Sequence, residues 1–101
     1  MRPVKSYPNT PQRLSDPRSE KIDFVELRES TEGLFAEREN GIILDDREAR
    51  ETLVIALKTS ERMFDFALKL ARFRKKIGGK GMVTCVDKSN VLQSLFFFEN
   101  F

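Results

Sequence analysis

Histidine and tryptophan are absent from this 101-residue sequence, and cysteine occurs once, at Cys85. Without histidine there is no Ser-His or Cys-His nucleophile pair, and the commonest transition-metal ligand is missing. Catalysis would have to rest on lysine, arginine, carboxylates, or a hard cation held by oxygen. One cysteine cannot close an intramolecular disulfide, so a reducing cytoplasmic location is the simplest expectation. Charge of one sign is lacking too: 18 basic against 16 acidic residues leave a net +2, with both signs mixed along the chain. That gives no electrostatic reason to expect nucleic acid or a membrane surface as partner. No apolar run approaches the roughly 20 residues that span a bilayer. The start, Met1-Arg2-Pro3-Val4-Lys5, lacks the apolar core of a signal peptide.

What is present suits one small globular domain, with 40% hydrophobic and 34% charged residues. All four prolines (Pro3, Pro8, Pro11, Pro17) fall before Glu20, marking an extended segment followed by a turn-rich loop. Ile22–Leu27 is apolar-rich and predicts a strand, and Thr52–Leu57 predicts a second. Between them, Gly41 and the Asp45-Asp46 pair mark a loop or hairpin. Met63, Phe66, Ala67, Leu70 and Ala71 then recur at helical spacing. Thr59 or Ser60 is the expected cap of that helix, Lys75 and Lys76 suit its negative end, and Gly78-Gly79 stops it. Met82–Val86 predicts a third strand, and Ser89 or Asn90 a cap for a final helix from Val91. Large aromatics crowd the last residues, Phe96 to Phe101. They read either as a C-terminal helix docked on the core or as a chain cut short, and truncation is the preferred expectation.

Three cationic groups stand at expected strand ends, where α/β enzymes place their sites: Arg2, Arg28 and Lys88. An arginine fork grips a carboxylate bidentately, and a lysine in a partly dry site can act as a base. Together they suggest a substrate with several carboxylates, although a single arginine after a strand is more often a solvated surface group. Asp45-Asp46 reads as a solvated loop rather than a metal site, and Cys85 as packing in a buried strand rather than a nucleophile.

Arg2-Pro3-Val4-Lys5, Arg28-Glu29-Ser30-Thr31-Glu32-Gly33-Leu34-Phe35 and Val83-Thr84-Cys85-Val86-Asp87-Lys88-Ser89-Asn90-Val91-Leu92 resemble three successive signatures of the isopropylmalate/isocitrate/tartrate dehydrogenase family. They stand in the family's order, and the resemblance covers essentially the whole chain, as an internal fragment of that α/β fold. It implies oxidative decarboxylation of a 2-hydroxy acid bearing a β-carboxylate, dependent on NAD(P) and on Mg²⁺ or Mn²⁺. By the same resemblance Arg2 and Arg28 grip substrate carboxylates, Lys88 removes the substrate's hydroxyl proton, and Asn90 lies near the nicotinamide. The aspartates that would ligate the metal are expected outside this chain. The implied partners are a hydroxy-di- or tricarboxylate and a second copy of the chain. In that homodimer Lys88 would serve the other protomer's site, and residues 37–57 would form the pairing arm. Residues 1–36 would carry the substrate arginines, and residues 58–101 the helix-strand-helix segment with Lys88.

The departures are specific. Seven places after Arg28 the family usually has a tyrosine that protonates the product carbon; this chain has Phe35, which has no proton to give. An ordinary core phenylalanine is the alternative reading of that residue. Ser30 replaces the commoner Asn or Leu, the Thr31-Glu32-Gly33 that follows is closer to the isocitrate and tartrate branches, and Val86–Leu92 is closer to the isopropylmalate branch. The substrate expectation therefore runs from 3-isopropylmalate first to tartrate, malate and isocitrate. The isolated chain is expected to be inactive. The rival reading is a non-catalytic partner-binding protein or decayed gene product of the same descent.

Overall fold

In the computed structural model, residues 1–96 are described. They form a mixed α/β arrangement of two separate two-stranded antiparallel sheets and one long helix. β1 (Arg2–Lys5) pairs with β2 (Asp23–Glu26), Arg2 opposite Glu26 and Lys5 opposite Asp23. The proline-rich connection between them ends in a short 3-10 helix, Pro17–Lys21, with Pro17 in its first turn. Asp16 caps it by accepting from the Arg18 backbone N–H at 2.8 Å, and Ser6 Oγ donates to the Ser19 carbonyl at 2.6 Å. These bonds hold the loop against the sheet and leave Ser19 buried.

β3 (Ile42–Leu44) and β4 (Glu48–Arg50) form the expected hairpin. The Arg47 N–H donates to the Leu44 carbonyl at 3.0 Å, and Asp45 and Asp46 between them have φ of 51° and 53°. Consecutive left-handed residues make the mirror-image turn whose twist matches that of paired strands.

α1 spans Leu57–Lys76. Its half-buried and buried residues, Thr59, Ser60, Met63, Phe64, Ala67, Leu70, Ala71 and Arg74, follow the 3.6 repeat along one face. Phe66, expected on that face, is half-exposed. The helix stops as its glycines require. The Gly78 N–H donates to the Lys75 carbonyl and the Gly79 N–H to the Arg74 carbonyl, with Gly78 at φ 93°. This is the paired closure that a left-handed residue permits. Arg74 also donates to the Asp23 carboxylate at 2.7 Å, fastening the last turn of α1 to β2.

Three expectations from the sequence are corrected. Thr52–Leu57 is no strand: only Val54 pairs, with Gly33, and Leu57 already belongs to the helix. Neither Thr59 nor Ser60 caps α1. Ala56 is the capping residue, and its side chain makes no capping hydrogen bond. Met82–Val86 is not a strand either, and Val86 is 90% exposed. β-branched residues fit a ladder only when a neighbouring strand accepts their backbone groups, and none among the described residues does. Of the final helix expected from Val91, the described residues contain a short 3-10 turn, Gln93–Leu95; Phe97, Phe98 and Phe101 lie outside them.

Candidate functional site

The segment after β2 is built from its own side chains upward. The Glu29 carboxylate accepts from the backbone N–H groups of Ser30 (2.9 Å) and Thr31 (2.6 Å) and from the Thr31 hydroxyl. Glu29 also pairs with Arg62 of α1 at 3.8 Å. Those bonds, led by the Thr31 hydroxyl, hold its carboxyl below the usual glutamate range. Three residues on, Glu32 reaches the start of the helix. Its carboxylate accepts from the Ala56 N–H at 2.9 Å and the Thr59 hydroxyl at 2.6 Å. Gly33 and Val54 exchange backbone hydrogen bonds of 2.7 and 3.2 Å, and Gly33 has φ 75°, a conformation that favours glycine. The loop is thus fastened at three points to the helix and to the strand-like residues preceding it.

Arg28 and Phe35 bracket this fastened loop. The Arg28 guanidinium carbon stands 5.9 Å from the centroid of the Phe35 ring, and that of Arg38 stands 6.0 Å from it. Both are within cation–π range. Phe35 is 46% exposed. Arg28 also lines an open cleft of about 290 Å³ with Met1, Leu27, Glu29, Arg62, Met63 and Phe66. Arg2, opposite Glu26 in the ladder, and Arg28, two residues beyond β2, lie at the same end of the β1–β2 sheet, but Arg2 does not line the cleft. Strand alternation sets Arg2 with Glu26, Val4 and Phe24 on one face, and Asp23, the partner of Arg74, on the other. Among the described residues neither Arg2 nor Arg28 is ion-paired, whereas Arg62 and Arg74 are.

Lys88 and Asn90 occupy a separate turn. The Asp87 carboxylate accepts from the Ser89 N–H (2.7 Å) and the Ser89 hydroxyl (2.6 Å), and the Lys88 carbonyl accepts from Val91 and Leu92. The Ser89 bonds hold the Asp87 carboxyl low. Lys88 and Asn90 are exposed, and no hydrogen bond or ion pair among the described residues joins them to Arg2, Arg28 or Phe35. Cys85 is exposed rather than buried in a strand, and desolvation and the nearby Asp87 push its thiol up, away from nucleophilic use.

The described residues do not make a divalent-cation site by themselves: no three carboxylate or thiol groups among them converge. Asp45-Asp46 sit on an exposed turn, as expected of a solvated loop. No helix among the described residues is long and apolar enough to cross a membrane. Two contributors had no assigned role in the sequence reading, Glu32 and Arg62. The first lay inside a quoted motif, but its reach to Thr59 joins residues 27 apart. For the second the sequence carried no signal.

Comparison with known proteins bears on the whole length. The family model for isocitrate/isopropylmalate dehydrogenase matches residues 1–101. A 3-isopropylmalate/3-methylmalate dehydrogenase of Methanocaldococcus jannaschii is 44% identical over 97 residues, covering 92% of this chain and 26% of the relative. The 3-isopropylmalate dehydrogenases of Corynebacterium kroppenstedtii and Bacillus caldotenax are 38% and 35% identical, over 91% and 93% of this chain and 25% of each relative. No solved structure matches. The chain therefore spans about a quarter of the length of these relatives. With the family model matching its full length and relatives at 35–44% identity over more than 90% of it, this chain belongs to the isocitrate/isopropylmalate dehydrogenase family.

Proposed function

We propose that this chain supplies the substrate arginines and the base of an enzyme that oxidatively decarboxylates a 2-hydroxy acid with a β-carboxylate. The first-choice substrate is 3-isopropylmalate, with tartrate, malate and isocitrate close behind. The observation that carries the reading is Arg2 and Arg28, neither ion-paired among the described residues, at one end of the β1–β2 sheet, with Arg28 against Phe35. Guanidinium groups without carboxylate partners are available to a polyanion. Similarity to relatives named for 3-isopropylmalate adds to it.

In this reading Arg2 and Arg28 bind and orient the substrate carboxylates. Lys88 takes the hydroxyl proton, working in the site of a partner protomer, which accords with its separation from Arg28 within one chain. Asn90 lies beside the nicotinamide. NAD(P) supplies the hydride acceptor and Mg²⁺ or Mn²⁺ the Lewis acid, the metal's aspartate ligands being expected outside this chain. Residues 1–36 form the substrate segment, 37–57 the dimer arm and 58–101 the Lys88 segment. The location is cytoplasmic.

The experiment is an assay of the full-length protein carrying this chain, with Mg²⁺ and either NAD⁺ or NADP⁺, on the four acids. Turnover of at least one is expected, highest in kcat/KM for 3-isopropylmalate. Lys88→Met should lower kcat by about 10²-fold or more, the scale of a lost general base. No turnover with any of the four defeats the reading. It would favour the non-catalytic alternative, for which the phenyl ring at Phe35 is the supporting observation.

A further inference from the structure

Glu32 lies four residues from Arg28 and three from Phe35, yet its carboxylate points away from both, into the first turn of α1. There it brings a side-chain acceptor to a helix start whose own capping residue has none. Ala56 offers no side-chain acceptor, and Glu32 satisfies the Ala56 N–H at the helix start and the Thr59 hydroxyl. A carboxylate at that end is also favoured by the helix dipole. The neighbouring Gly33–Val54 exchange prevents the loop from swinging about this point, and the Glu29–Arg62 pair ties the Arg28 side of the loop to the next turn of the same helix. Arg28 and Phe35 therefore stand on a loop whose position is set by α1 rather than by β2 alone.

We infer that Glu32 is a positioning residue: by capping α1 from outside the helix it holds the Arg28–Phe35 loop where Arg28 meets a substrate carboxylate. The inference rests on the proposed function, because the group being positioned is the substrate-binding arginine. It extends that reading by making the affinity for the hydroxy acid depend on a carboxylate that never touches it. Glu32→Ala removes both acceptors, and Thr59→Val removes the hydroxyl alone and leaves the Ala56 bond in place.

The test is steady-state kinetics of the full-length enzyme carrying Glu32→Ala, Thr59→Val, Arg28→Lys, and the pair Glu32→Ala with Arg28→Lys. Glu32→Ala should raise KM for the hydroxy acid about tenfold, the scale of a lost hydrogen bond to a charged group. KM for NAD⁺ or NADP⁺ should stay unchanged. Thr59→Val should move the acid's KM the same way by a smaller factor. In the Arg28→Lys background, Glu32→Ala should add little, since the group it positions is already altered. A fall in Tm with both KM values unchanged would overturn the inference, as would equal rises in both. If Glu32→Ala does not fold, Thr59→Val alone decides by the same split. Wild-type enzyme without turnover on any acid would instead bring down the functional reading, and this inference with it.

Discussion

In the proposed reading, Phe35 lacks the proton donor of its position but keeps a contact with Arg28. Its phenyl ring cannot donate a proton, but it stands within cation–π reach of Arg28 and of Arg38. Phe35→Leu removes the ring and leaves the volume roughly in place. A cation–π contact at an exposed site is worth about 0.5–1 kcal/mol, so KM for the acid should rise about two- to fivefold in that variant. Phe35→Tyr restores a donor and should raise kcat, by up to about 10²-fold, while leaving that KM nearly constant; a kinetic comparison of the three enzymes checks both. Asp23 is a second residue-scale case. The Arg74 guanidinium holds its carboxyl below the ordinary aspartate range. Because the folded value is the lowered one, the contribution of the pair is fully present above the unfolded pKa and is lost as pH falls through the folded one. A carbon NMR titration of the Asp23 carboxyl should give a midpoint below the ordinary value, returning towards it in Arg74→Gln. An unmoved midpoint would show that the pair contributes nothing.

At the scale of elements, local chemistry and borrowed contacts contribute separately. The stop of α1 was legible because Gly78-Gly79 follows a basic last turn, and the structure closes it there by local bonds alone. Its start was misplaced by a few residues because the capping group, Glu32, comes from a loop 24 residues away from Ala56 in sequence. Periodicity and nearby serine or threonine cannot report such a partner. Gly41 and Asp45-Asp46 marked a loop or hairpin; the structure makes it the β3–β4 hairpin, whose turn holds both aspartates left-handed. That geometry costs a non-glycine residue about 1–2 kcal/mol. Asp46→Gly should therefore stabilise the hairpin by about 1 kcal/mol, seen as slower exchange of the Arg47 amide. Faster exchange would mean that the aspartate side chain, not its backbone, shapes the turn.

For the molecule as a whole, burial is the deciding quantity. Ala71 is the one buried apolar residue among those described, and the radius of gyration is 18.1 Å. A compact domain of about 100 residues would have one of about 13 Å. Ile43, Phe73, Ile77 and Met82 are 58–73% exposed, so the apolar residues that would stabilise a core remain in solvent. The 101 residues produced alone should therefore show no cooperative thermal transition and should bind a hydrophobic dye. A sharp calorimetric peak from the isolated chain would contradict this. The full-length protein should unfold cooperatively, with α1 and the β1–β2 sheet among its protected amides.

The sequence by itself determined the elements whose causes are local: the helical repeat of α1, its glycine stop, the Asp-Asp turn, and the strand bearing Val25. It also carried the three motifs by which the family is recognised, because motifs are runs of adjacent residues. Tertiary structure alone decided where α1 begins, that Thr52–Leu57 and Met82–Val86 are not strands, and that Arg28 meets Phe35 while Lys88 stands apart. Each of these depends on a group distant in sequence either arriving to pair or failing to. A β-ladder or a helix cap exists only when the second partner is there to take the hydrogen bond.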